Sequence, residues 1–99
     1  MNYRQEIMTD ILQKYRAKPC EIGEGCLGIT DPHHILTKGA GGKDIDSNLL
    51  GLCRLHHTSW HTMGKTTFVA KYGLEECMYS KGWEFDSFTQ KWFYPKFNL

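Results

Sequence analysis

All five histidines of this 99-residue chain, and three of its four cysteines, fall between positions 20 and 61. Histidines placed for solubility or packing would scatter, whereas side chains gathered around a metal ion cluster in this way. A chain this short has a limited apolar core, so a bound ion would also count towards its stability. The first residues, MNYRQEIMTDILQKYRAK, carry charges throughout and lack the basic-then-apolar layout of a signal peptide. No apolar run is long enough to span a bilayer. The expectation is a cytoplasmic protein without a membrane partner, in which thiols stay reduced; four cysteines beside five histidines then favour metal over disulfides. The formal net charge is only +1. A protein that holds nucleic acid by charge alone is usually far more basic, so a bound cation and local Lys/Arg would have to supply much of any attraction to a polyanion.

Hydrophobic spacing organises the rest. Tyr3, Ile7, Met8, Ile11, Leu12 and Tyr15 recur with helical period and predict a helix over about 3–16, ended by Pro19. The segment PCEIGEGCLG, with Cys20 and Cys26, is turn-forming. A short strand near 29–36 would carry DPHHIL, a polar glycine loop TKGAGGKDIDSN would follow, and LLGLC at 49–53 would form a second strand. RLHHTSWHT then makes sense as a helix, because His57 and His61 stand at i, i+4 and share one face. Phe68, Val69 and Tyr72 suggest another helix, opened by Thr66 or Thr67 and stopped by Gly73. LEECMYSK adds one more, and WEFDSFTQKWFYPKF reads as an aromatic hairpin. The fold class expected is α+β, in a single domain over 1–99.

His57 and His61 can bind one ion together, and the strand residue His33 is available as a third ligand. Three protein ligands leave coordination positions open, which suits a catalytic ion better than a sealed structural one. Asp31 would share a strand face with His33, so it could reach the ion itself or back the His33 ring.

At this point the pattern resembles a known family. His33-His34, then Asn48 fourteen residues after His34, His57 nine later and His61 four later follow the spacing of the HNH endonuclease motif. Gly41-Gly42 ahead of the asparagine and Cys53 before the helix fit as well, in the form carried by small phage-encoded HNH nucleases. The resemblance covers about residues 20–62. It implies a small ββα-metal core with flanking helices. It further implies that His33, His57 and His61 hold a single divalent ion (Mg, Mn or Zn), that His34 is the general base and that Asn48 holds the loop so as to orient His34. An imidazole suits the base role because its unperturbed pKa lies near neutrality. The activity implied is metal-dependent hydrolysis of DNA phosphodiesters, leaving 5′-phosphate and 3′-hydroxyl ends.

HNH proteins often flank the motif with cysteine knuckles around a structural zinc. Cys20 and Cys26 before the first strand, with Cys53 and His56 after the second, would make a Cys3His site of that kind, while Cys77 would be core. Lys38, Lys43 and Arg54 flank the implied site and are candidate phosphate contacts. Trp60 is expected to pack inward. The tail aromatics Trp83, Phe85, Phe88, Trp92, Phe93, Tyr94 and Phe97 are expected in a core or against a partner protein more than stacked on bases. The competing function is a non-catalytic, zinc-stabilised DNA-binding or assembly module. Such a module would keep the metal ligands but have no use for His34 or Asn48.

Overall fold

The computed structural model describes residues 10–98. The chain divides into two compact units, Met1–His57 and Thr58–Leu99. The class is α+β, with two antiparallel two-stranded sheets and four α-helices among the described residues. No helix among them is long and apolar enough to cross a membrane.

The first unit contains α1 (Asp10–Ala17), β1 (Thr30–His34), β2 (Leu49–Cys53) and the first turn of α2 (Arg54–Met63). Residues 3–9 of the expected first helix lie outside the described residues. Tyr15 anchors α1: its ring is buried, its hydroxyl donates to Asp46 Oδ1 at 2.7 Å, and Lys18 Nζ sits 4.4 Å from the ring centroid. β1 and β2 pair with His33 opposite Leu50 and Pro32 opposite Gly51. Ile35 N donates to Asn48 O, and Arg54 N to Ile29 O, so the odd-numbered residues of this strand occupy the hydrogen-bonded pairs. Pro32 therefore falls where the ladder needs no N–H, which is why a proline is tolerated within the strand. Every residue of β2 is buried. Burial of Leu49, Leu50 and Leu52 is worth roughly 1.5–3 kcal/mol each.

The loop between the strands is closed by one side chain. Asn48, fully buried, accepts from Leu36 N at 2.7 Å and donates through Nδ2 to Leu36 O at 3.0 Å and Lys43 O at 3.1 Å. Gly42 lies against this junction. A Cβ there would overlap the carbonyl oxygen of Leu36 and come within 2.8 Å of Asn48 Nδ2.

The second unit holds the rest of α2, α3 (Lys65–Tyr72), α4 (Glu75–Ser80) and a hairpin of β3 (Glu84–Asp86) and β4 (Lys91–Phe93). Gly73 ends α3 in the left-handed conformation expected of it, its N–H donating to Val69 O. The start of α3 differs from the sequence reading: it begins at Lys65, directly after Gly64, without a side-chain cap. Thr66 instead donates its hydroxyl to Gln90 O at 2.9 Å, a tertiary contact that helix propensity cannot reveal. Trp60, Phe68, Val69, Met78, Trp83 and Trp92 form the core, with Trp60 turned inward as expected. Cys77 is only half-buried on α4. Phe88, at the hairpin turn, is 93 % exposed.

Gly42→Ala should lower the unfolding free energy by about 1–3 kcal/mol, as overpacking does. Gly39→Ala, which meets open space, should change it by less than about 0.5 kcal/mol. Denaturant titrations of both variants check this; equal responses would contradict the packing argument.

Candidate functional site

Two groups of side chains in this fold could each hold a metal ion. The first joins Cys20, Cys26, Cys53 and His56, drawn from the turn after α1, the following loop, the end of β2 and the first turn of α2. His56 Nδ1 lies 3.5 Å from Cys20 Sγ, 3.8 Å from Cys26 Sγ and 3.2 Å from Cys53 Sγ. Tetrahedral zinc with Zn–S near 2.3 Å and Zn–N near 2.0–2.1 Å sets such edges at about 3.6 Å, so this donor set is consistent with structural zinc. The irregular spacing of Cys20 and Cys26 is absorbed by the loop. Burial disfavours the Cys53 thiolate, yet backbone N–H groups of His56 and Leu27 pointing at the sulfur hold its pKa below the usual thiol value. Cys26 is exposed as a residue, but desolvation of its thiol, with the hydrogen bonds to Cys20 and Cys53, pushes it up to about 11. Sulfurs crowded in this way are what a dication favours as thiolates.

The second group is His33, His57 and His61, whose ligand nitrogens lie within 4.8 Å of one another. An ion with Zn–N bonds near 2.0–2.1 Å sets such edges at about 3.4 Å, so small side-chain adjustments would bring the three nitrogens onto one ion. His33 is buried on β1, with its ring edge-on to His57 at 4.9 Å between centroids. His61 follows one turn along α2, which runs unbroken through this region.

Asp31 takes a different place from either one weighed from sequence. Its Oδ2 lies 3.5 Å from His57 Nδ1 and accepts from Arg54 Nε at 2.6 Å, while Oδ1 accepts from Arg16 Nη1 at 3.5 Å. The carboxylate thus backs His57, not His33, and is absent from the group of candidate ligands. Two residues earlier on the same strand face, it meets the start of α2 where the helix leaves the sheet. Arg54, read as a phosphate contact, has its Nε committed to Asp31, although the side chain remains 61 % exposed.

His34 ends β1, and its ring Nε2 lies 2.7 Å from Asp44 Oδ1; Lys38 Nζ donates to Asp44 Oδ2 at 3.3 Å. The hydrogen bond from His34, and then the Lys38 ammonium, hold the Asp44 carboxyl below the usual carboxylate range against the cost of its burial. Lys38 and Lys43 are both exposed. Asp44 is the site residue that sequence reasoning missed. It lies in a polar loop that also offers Asp46, and only the closure by Asn48 brings it to His34.

No family model matches the sequence, and no solved structure matches it. An alignment of 65 positions that covers 61 % of this chain shows 38 % identity to the uncharacterized protein YdfU of Escherichia coli (strain K12). The chain spans only 17 % of that protein's length.

Cys53→Ser should remove one equivalent of bound transition metal per chain and lower the melting temperature, while Cys77→Ser should leave both nearly unchanged. Elemental analysis with thermal melts decides it, and an unaltered metal content in Cys53→Ser would rule out the Cys3His site.

Proposed function

We propose that this protein is a metal-dependent DNA endonuclease of the HNH kind, with His33, His57 and His61 holding the catalytic ion and the Cys3His group a structural zinc. One observation carries the reading: a three-histidine group within 4.8 Å stands beside a histidine already paired to a carboxylate, on a strand–loop–strand–helix path whose loop is closed by Asn48. A non-catalytic zinc module would need the cysteines and His56 alone. It gives no reason for a second, open histidine group, nor for the pairing of His34.

A divalent ion at the three histidines would supply positive charge to the scissile phosphate and to the oxygen that departs from it. The remaining roles belong to the chain. His34 removes a proton from the attacking water; the water oxygen bonds to phosphorus as the bond from phosphorus to the 3′ oxygen breaks, leaving 5′-phosphate and 3′-hydroxyl ends. Asp44 is ionised at neutral pH and can only accept, so its bond to Nε2 places the ring proton there and leaves the Nδ1 lone pair for the water. Asp31 braces His57, the exposed Lys43 would draw a flanking phosphate, and Lys38, bonded to Asp44, would add positive charge nearby. Contacts of this type read phosphate rather than base edges, so cleavage is expected to depend on backbone and shape more than on sequence.

Supercoiled plasmid should be nicked in the presence of Mg²⁺, Mn²⁺ or Zn²⁺, and a chelator should abolish the reaction. His34→Ala should cut single-turnover cleavage by ~10²–10⁴ with metal affinity nearly intact. His57→Ala should lose affinity and activity together, with partial recovery in excess metal. Asn48→Ala should lie between the wild type and His34→Ala. Loss of metal binding in His34→Ala as complete as in His57→Ala would overturn the division of roles between the strand histidines.

A further inference from the structure

Asn48 makes no hydrogen bond to His34 in this fold. Its Nδ2 instead fixes the carbonyl of Lys43, and the next residue along, Asp44, makes the contact with the imidazole. Both Asp44 oxygens are engaged, Oδ1 with His34 Nε2 at 2.7 Å and Oδ2 with Lys38 Nζ at 3.3 Å, so the carboxylate is held in one orientation. It is four-fifths shielded from solvent, with a side-chain exposure of 21 % against 18 % for His34. Building on the nuclease reading, we infer that Asp44 is the positioning residue of the reaction: it sets the tautomer and aim of His34, and Asn48 acts on His34 through it.

The chemistry of the pair supports this assignment. An ionised carboxylate has no proton to give, so His34 must donate from Nε2 and keep its Nδ1 lone pair free. When the water oxygen attacks phosphorus, the proton it loses passes to Nδ1, and the imidazolium so formed keeps its Nε2–H on the Asp44 carboxylate. The departing 3′ oxygen takes its proton from solvent. The same division of labour holds in Ser-His-Asp triads, where changing the aspartate to asparagine costs ~10⁴ in turnover because the ring adopts the wrong tautomer.

Asp44→Asn is the informative variant, since it keeps the size of the side chain while its amide can donate to Nε2 and move the ring proton to Nδ1. Long-range ¹H–¹⁵N spectra at alkaline pH should show the Nε2–H form of His34 in the wild type and the Nδ1–H form in Asp44→Asn. Turnover on plasmid DNA should fall 10- to 10³-fold, with KM within about threefold and metal content unchanged. Asp44→Glu, which restores a carboxylate on a longer arm, should recover part of the loss. An unchanged tautomer in Asp44→Asn, or a variant as fast as an active wild type, overturns the positioning role while leaving the nuclease reading intact. A wild-type protein that cleaves no DNA with any of the three ions overturns both.

Discussion

The buried amide of Asn48 is the interaction on which the first unit turns. It makes three hydrogen bonds to the backbone of Leu36, near the start of the excursion between β1 and β2, and of Lys43, in its middle. Each such bond contributes only about 0.5–1.5 kcal/mol net, but leaving its buried partners unmade would cost about 1–3 kcal/mol apiece. The loop therefore closes at this point or pays heavily elsewhere. With it closed, β2 returns in register beside β1, Gly42 tucks under Leu36, and Asp44 arrives at His34.

Two pairs of neighbouring histidines are separated by the geometry of the elements that carry them. Along a strand, successive side chains point to opposite faces, so His33 turns towards α2 and His34 towards the loop. Along a helix, successive residues are rotated by about 100°, so His56 joins the cysteines while His57 joins His33. One strand end and one helical turn thereby serve two groups that could each hold a metal ion and a histidine–carboxylate pair. The cysteine group brings together the turn after α1, the loop before β1 and the β2–α2 junction, where a bound ion would staple a unit of fewer than sixty residues.

The second unit has a different character. Its centre is aromatic: Trp60 packs on Phe68 and Phe85 on Trp92, with Met78 fully buried. Of the tail aromatics, Trp83 and Trp92 are core, as the sequence suggested, whereas Phe88 stands in solvent at the turn between β3 and β4. The carboxylate of Asp86 accepts from Phe88 N at 2.9 Å and shapes that turn; this bond, with those from Thr89, holds its pKa below the usual carboxylate range.

Local order was legible from residues alone. The glycine stop at Gly73, the apolar run LLGLC and the i, i+4 pair His57/His61 each signal an element through short-range rules of backbone conformation and side-chain period, and each element formed there, although α3 begins at Lys65 without the threonine cap those rules suggested. The resemblance named which cysteines and histidines would be neighbours; only Cys53/His56 and His57/His61 lie within one turn of each other, while Cys20, Cys26 and His33 are brought to them by the tertiary fold. What spacing could not supply was the identity of the carboxylates behind them. Asp44 reaches His34 across ten residues of loop, and Asp31 reaches His57 across twenty-six, through contacts that exist only once Asn48 has closed the loop and β2 has paired. Such partners are chosen by where the backbone returns, and that is a property of the packed chain rather than of any window along it.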